Sequence, residues 1–160
     1  MLLRISKLFL VSSFSLYLLL VVFNNLTDYN SNFQFVRHVL MMDTTFPGNN
    51  GMWRSINSET LHHLFYIFVI AAELTAAAFG IIGSIKLFTK LKSDSHTFNN
   101  SKKPAAVSLI ISFVLWFIGF IVIGGEWFLM WQSNQWNGIE AAFRISVIAL
   151  LMLIFLLKKD

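Results

Sequence analysis

The chain has 160 residues, of which 56% are hydrophobic and only 12% are charged, with a formal net charge of +4. Soluble domains carry about 25% charged residues, so this composition indicates a membrane protein. Cysteine is absent, which excludes disulfides, thiolate metal sites and cysteine nucleophiles. The basic residues form no patch interleaved with aromatic residues, and we expect no nucleic-acid partner.

Four apolar stretches lie at about residues 5–23, 61–88, 105–131 and 139–157. Each is near or above the roughly 20 residues that a helix needs to cross a bilayer. The first stretch follows Arg4 and Lys7 as a signal peptide would, but it ends at Asn24 without a small-residue cleavage site, so we expect a retained signal anchor. The pattern predicts an all-α membrane protein, a single membrane domain built as a four-transmembrane-helix bundle.

The connections between these stretches differ in character. Residues 24–60 contain too many aromatic residues and methionines for a solvated linker, so we expect a structured outer loop. Within it, the apolar spacing of residues 33–43 predicts a short helix that lies in the interface or caps the bundle. The connection formed by residues 89–104 is short, basic and polar, and we expect it to be mobile. No internal repeat is evident, which disfavours an inverted-repeat transporter.

The distribution of basic residues predicts the orientation. Nine of the twelve lie on the side of the N-terminus, the second connection and the C-terminus, namely Arg4, Lys7, Lys86, Lys90, Lys92, Lys102, Lys103, Lys158 and Lys159. Arg37, Arg54 and Arg144 lie on the other side. By the positive-inside rule, both termini of this multi-pass protein are expected in the cytoplasm.

The third and fourth stretches are joined by GGEWFLMWQSNQWNG, residues 124–138, which contains Trp127, Trp131 and Trp136. Indole rings favour the headgroup level of a bilayer, so these tryptophans are interpreted as interface anchors.

Several longer motifs carry a family resemblance. They are NNLTDYNSNFQFVRHVLMMDTTFP, MWR, AAEL, the tryptophan-rich stretch above and the AAFR that follows it. Together they span about residues 24–144 and resemble the bacterial family of predicted small integral membrane proteins called domain of unknown function 2165. The resemblance implies a bacterial cytoplasmic (inner) membrane protein with four spans, and it implies no activity.

Glu73 is the deepest charged residue, near the middle of the second span. A carboxyl group at this depth costs a few kcal/mol unless it faces protein or water. At 100° per residue, His62, Tyr66, Glu73, Gly80 and Ser84 share one side of the helix, beside the small residues Ala72 and Ala76. This side is therefore expected to pack against another helix.

A second set of charged residues lies in the outer half of the membrane. The same periodicity places Glu126 on one side of its helix with Ser108, Ser112 and Gly119, and Glu140 and Arg144 form an i, i+4 pair on the next helix. We expect Glu126 to point into the bundle and meet Arg144, which leaves Glu73 as the spare acid. Such a cluster either fixes the helix register or holds a proton, an ion or a ligand.

The histidines suggest no metal or haem site. His62 and His63 are expected to be solvated at the interface, and His38 would join a site only if the outer loop folds over the bundle. The remaining polar candidates are Asp28, Arg37, His38, Asp43 and Arg54 in the outer loop. We expect no metal and no cofactor.

The sequence contains no hydrolase, metalloprotease, Walker or dinucleotide motif, so we do not expect an enzyme. The preferred hypothesis is a non-catalytic accessory or interaction subunit of a larger membrane complex. The alternative is a bundle, or a homo-oligomer of it, that binds or transports a proton, an ion or a small ligand through Glu73, Glu126 and Arg144. An enzyme or redox subunit resting on the histidines is the third hypothesis.

Reporter fusions test the orientation. Fusions at residue 96 and at residue 160 are expected to be active as cytoplasmic reporters, and a fusion near residue 50 as an external reporter, because of the asymmetry of the basic residues. A residue 96 fusion that is active only outside would contradict this topology.

Overall fold

The computed structural model describes all residues from Met1 to Asp160, and it is helical with no β-strand. The α-helices are α1 (Leu2–Thr27), α2 (Tyr29–Met41), α3 (Glu59–Thr89), α4 (Ser95–Ser101), α5 (Lys103–Phe113) and α6 (Ile139–Leu157). A π-helix, Val114–Trp127, continues α5 directly, and 3₁₀ turns cover Met52–Arg54 and Met130–Gln132. Four helical segments are long and apolar enough to cross a membrane, so the four-span fold class is confirmed.

The four spans are not equally engaged with one another. α3 packs mainly against α1 and α5, and α6 packs mainly against α5 and the π-helix, whereas α1 and α6 touch little. We call the end that carries α2 and the two 3₁₀ turns the loop end, and the end that carries Arg4, Lys7 and α4 the basic end. Helices α3 and α5 therefore lie at the centre of the bundle. The helices α1 and α6 are separated by an open seam.

Small residues allow α3 to approach its neighbours closely in the half of the bundle next to the basic end. A Cβ atom on Gly80 would lie 2.4 Å from Ser15 Oγ of α1 and 3.0 Å from Ser108 Oγ of α5. Ser108 Oγ also donates a hydrogen bond of 2.7 Å to the Ala76 carbonyl. The small-residue side predicted for this helix is therefore a packed interface, as is usual between membrane helices.

A buried ion-pair network closes the basic end. Asp160 accepts from Lys7 Nζ at 2.8 Å and from Lys102 Nζ at 2.6 Å, and all three side chains are at most 5% exposed. Both lysines also donate to the Lys158 carbonyl. Burial opposes ionisation of Asp160, but the hydrogen bonds from Lys102 and Lys7 outweigh it and hold the pKa of Asp160 below its usual value. The network joins the beginning of α1, the beginning of α5 and the end of α6.

The expectation that residues 89–104 are mobile is wrong for much of this connection. Asp94 Oδ1 caps α4 by accepting from the Thr97 amide at 3.0 Å, and the hydrogen bonds from Thr97 lower the pKa of Asp94. Phe98 of α4 is fully buried, with the Arg4 guanidinium 4.5 Å from its ring centroid. The prediction failed because it was based on the polar composition of the segment. The buried Phe98 ring holds this helix of seven residues against the bundle.

The predicted short helix in the outer loop exists, but its bounds differ from residues 33–43. It begins at Tyr29, one residue after α1 ends, and it stops at Met41 because Met42 adopts a left-handed conformation with φ 55°. The third span also ends earlier than residue 131, at Trp127, and Leu129 likewise has φ 55°. Both left-handed residues are non-glycine, so apolar composition gave no sign of the turns.

Two glycine variants test the packing. A Cβ atom on Gly83 would lie 2.6 Å from the Ala105 backbone nitrogen, which cannot move aside, whereas on Gly119 it would meet nothing nearer than Leu115 Cδ1 at 3.8 Å. Gly83→Ala is therefore expected to lower the free energy of unfolding by about 1–3 kcal/mol, and Gly119→Ala is expected to be tolerated. Thermal unfolding of both variants in one detergent measures this. Equal stabilities would show that α3 and α5 are not in close contact.

Candidate ligand-binding pocket

Glu73 lies inside the protein, as its periodicity predicted. Its side chain belongs to a residue that is 1% exposed, and its Oε2 accepts a hydrogen bond of 2.6 Å from Asn25 Nδ2 near the end of α1. Tyr66 lies about two turns of α3 nearer the loop end than Glu73. Its hydroxyl donates a hydrogen bond of 3.2 Å to the Asn25 carbonyl. No hydrogen bond from the protein reaches Glu73 Oε1. One carboxylate oxygen is thus committed to the fold and the other has no partner in the chain.

A pocket of about 240 Å³ lies beside this carboxyl group, between α2 and the spans. Its polar lining comes from Glu73, Asn25, Asn32, Tyr66 and Trp116, and the rest is apolar. Trp116 is 8% exposed, and its indole Nε1 is buried without a hydrogen-bond partner in the protein. Since buried polar groups are nearly always satisfied, an unpaired N–H donor and a carboxylate on one pocket are a candidate site.

An aromatic clasp formed by Tyr29, Phe33, His63 and Tyr66 holds one side of α2 against α3. The Phe33 and His63 rings stack with centroids 4.0 Å apart, and Tyr29 packs on Tyr66 at 4.7 Å. The Tyr29 hydroxyl and His63 Nδ1 are hydrogen-bonded at 2.8 Å. The clasp places α2 over the Glu73 pocket as a roof.

The opposite side of α2 packs against the π-helix and the turn that leads to α6. Phe35 contacts Phe120 at a centroid distance of 6.2 Å and lies over Gly138, where a Cβ atom would be 2.8 Å from the Phe35 ring. His38 stacks on Trp136 at 4.8 Å, and its Nδ1 is 2.8 Å from Asp43 Oδ2. The roof is therefore fixed along both edges, and His38 belongs to it rather than to a metal site.

His62 is not solvated, contrary to the prediction. It is 2% exposed and its Nε2 is 2.7 Å from the Ile56 carbonyl. A carbonyl only accepts, so Nε2 carries the hydrogen. The Ile56 amide in turn donates to the Leu40 carbonyl at 2.8 Å. His62 thus ties the end of α2 and the segment before α3 to the bundle.

The predicted ion pair between Glu126 and Arg144 is wrong. Both side chains are exposed, and no salt bridge joins them or joins Glu140 to Arg144. Ser108 and Ser112 are buried as expected, but the periodicity argument fails beyond them because Val114–Trp127 is a π-helix. Its i→i+5 hydrogen bonds turn each residue by less than the 100° of an α-helix, so Glu126 leaves the inner side.

The other polar candidates lie away from the pocket. Asp28 accepts from Ser31 Oγ at 2.9 Å, Arg37 is partly exposed, and the Arg54 guanidinium is 5.4 Å from the Trp127 ring centroid. Trp127 and Trp131 are about half exposed at the loop end, where interface anchors are expected. No three His, Asp or Glu side chains come together in a metal-binding arrangement.

Three polar pocket residues were missed by sequence reasoning, namely Asn25, Asn32 and Trp116. Asn25 was interpreted as the boundary of the first span, although α1 continues to Thr27 and buries the Asn25 side chain. Trp116 lies in a run of apolar residues in which nothing distinguishes a tryptophan that packs from one that offers its N–H group. Asn25 could have been found in the sequence as a polar residue at the end of the first span, close enough in depth for its side chain to reach Glu73.

Comparisons with known proteins support the membrane assignment. A family model described as predicted small integral membrane protein (DUF2165) matches residues 3–159. No curated protein and no solved structure matches the chain. Because the match covers nearly all 160 residues, the chain belongs to the DUF2165 family of small integral membrane proteins.

Proposed function

We propose that this protein is a non-catalytic membrane binding protein whose ligand places a neutral polar group in the Glu73 pocket. The observation that carries the proposal is that one pocket is lined both by Trp116, whose Nε1 has no hydrogen-bond partner in the protein, and by Glu73, whose Oε1 has none. A hydrogen bond in a mostly apolar pocket is stronger than one in water because the local dielectric is low.

The chemistry of the two atoms selects the ligand group. Trp116 Nε1 only donates a hydrogen bond, so the ligand group must accept one, and Glu73 Oε1 needs a donor when the carboxyl group is ionised. An ammonium group cannot accept and a carboxylate or phosphate cannot donate when ionised. Hydroxyl and amide groups do both, and the amides of Asn25 and Asn32 offer further partners to a group with several hydroxyls.

Binding, rather than catalysis, is the role that the pocket lining supports. Its polar members are a carboxyl group, two amides, a phenol and an indole, and it contains no serine, histidine or lysine next to Glu73. General-base activation of a nucleophile needs such a pair within hydrogen-bonding distance. Hydrogen-bonding groups in an otherwise apolar pocket are typical of ligand recognition.

A second candidate role is an interaction subunit of a membrane complex, or a homo-oligomer, and Arg144 favours it. Arg144 lies five residues into α6, exposed on the open seam between α1 and α6 beside a pocket of about 490 Å³. An arginine in a span normally pairs with an acid or lines an aqueous cavity, and this chain supplies no acid to it. An acidic side chain of another subunit would satisfy it.

For the location of the protein, we propose the bacterial cytoplasmic membrane with the basic end toward the cytoplasm. Support comes from the excess of lysine and arginine at that end. The loop end, with α2 and the Glu73 pocket, then faces the opposite side, and a ligand reaches the pocket from the outer half of the bilayer.

Binding of monobutyrylglycerol, a neutral polyol with a short chain, tests the proposed ligand chemistry. Wild-type protein in phosphatidylcholine nanodiscs is expected to bind it saturably, as measured by ligand-dependent thermal stabilisation. Glu73→Gln is expected to weaken binding by about tenfold because the charge-assisted hydrogen bond is lost. Trp116→Phe is expected to weaken it to a similar extent, since it removes a donor that has no partner within the protein.

Trp131→Phe is the matched control, because it makes the same chemical change at a half-exposed residue outside the pocket. Unchanged binding in Trp116→Phe and Glu73→Gln, with both variants folded, would refute the proposal. Butylamine binding more tightly than monobutyrylglycerol would refute the neutral ligand group.

The interaction-subunit role is tested by cross-linking in native membranes. Arg144→Met is expected to abolish a cross-linked species formed through the α1–α6 seam, and Arg144→Lys to retain it in part, because the charge is kept and the bidentate geometry is lost. Arg37→Met is the control at the loop end. A cross-linking pattern identical in all variants would contradict a role for Arg144 in assembly.

A further inference from the structure

An apolar groove lies next to the Glu73 pocket. Its cavity is about 170 Å³, and its lining consists of twelve hydrophobic residues and two glycines. Phe35, Val36, Val69 and Phe120 line both the groove and the pocket. The two cavities therefore share one wall under α2, with hydrogen-bonding groups at one end and none at the other.

The far wall of the groove reaches the lipid-facing surface of the bundle. Phe68 is 68% exposed and Ile123 is 45% exposed, and both line the groove. Side chains this exposed within membrane spans contact acyl chains in a bilayer. Hydrocarbon can therefore enter the groove sideways from the membrane without crossing water.

We propose that the site takes a single-chain amphiphile from the outer half of the bilayer, with a neutral hydroxylated head in the Glu73 pocket and its hydrocarbon tail in the groove. This inference rests on the proposed function, which it extends from the polar group to the whole ligand. The change in lining between the adjacent cavities, from Glu73 and two asparagines to phenylalanine and glycine, matches the change in polarity along such a molecule.

The membrane is the source of the ligand because of where the groove opens. Transfer of a tail from lipid into an apolar groove changes its hydrophobic free energy little, since both surroundings exclude water. The head supplies the affinity through hydrogen bonds in the pocket, and the tail delivers the head from the bilayer and sets its orientation. A soluble polyol lacks this delivery.

Gly119 gives a way to block the groove and leave the pocket intact. It lines the groove but not the pocket, and a Cβ atom on it would meet nothing nearer than Leu115 Cδ1 at 3.8 Å. Gly119→Leu is therefore expected to fill the groove without a backbone clash. Gly119→Ala adds only one methyl group at the same position and serves as the matched control.

The test uses monopalmitoylglycerol with a photoreactive diazirine in the middle of its chain. Full-length protein is placed in phosphatidylcholine nanodiscs, irradiated and mapped by mass spectrometry. In the wild type, labelling that unlabelled monopalmitoylglycerol competes away is expected on the peptides that contain Phe68 and Ile123. That labelling is expected to fall several-fold in Gly119→Leu and in Glu73→Gln, and to persist in Gly119→Ala.

Short-chain binding separates this inference from the proposed function. Gly119→Leu is expected to bind monobutyrylglycerol as the wild type does, since the pocket is unchanged. Competable labelling that is equal in wild type and Gly119→Leu, or labelling only of lipid-facing positions such as Phe9 without competition, would overturn the groove as a tail site. Monobutyrylglycerol binding that still depends on Glu73 would then leave the proposed function standing.

Discussion

The burial of one carboxyl group, that of Glu73, governs the architecture of this protein. A charged residue at the centre of a span costs about 2.5–3.5 kcal/mol even by insertion scales, so the surrounding helices must compensate. Asn25 meets this cost by a hydrogen bond of 2.6 Å, and Tyr66 fixes the Asn25 backbone from the α3 side. This arrangement requires α1 to continue to Thr27 and α2 to begin directly afterwards, which brings α2 across the carboxyl group.

The two halves of the bundle consequently have different roles. Toward the basic end, Gly80 and Gly83 let α1, α3 and α5 pack closely, and the network around Asp160 ties three helices together. Toward the loop end, the helices diverge around a polar pocket and an apolar groove, and α2 rather than a further span covers them. A closely packed half thus supports the half that contains both cavities.

Properties set by composition and by regular α-helical periodicity could be predicted from the sequence. The four spans, the helix in the outer loop and the burial of Glu73, Tyr66 and Gly80 all follow from hydropathy or from 100° per residue. The position of Glu126 could not be predicted, because the change to π-helical hydrogen bonding after Phe113 leaves no mark in an apolar sequence. Asn25 and Trp116 were missed because their roles depend on which helices become neighbours, which is a property of the tertiary fold.

A double-mutant cycle on Asn25 and Glu73 tests the central claim most directly. The free energy of unfolding is measured in one detergent for Asn25→Leu, Glu73→Leu and the double variant. Each single change leaves a buried polar group without its partner and is expected to cost about 1–3 kcal/mol, whereas the double variant removes both groups and recovers part of that loss. A coupling free energy of zero, with strictly additive losses, would contradict the account, because Glu73 would then not depend on α1 for its burial.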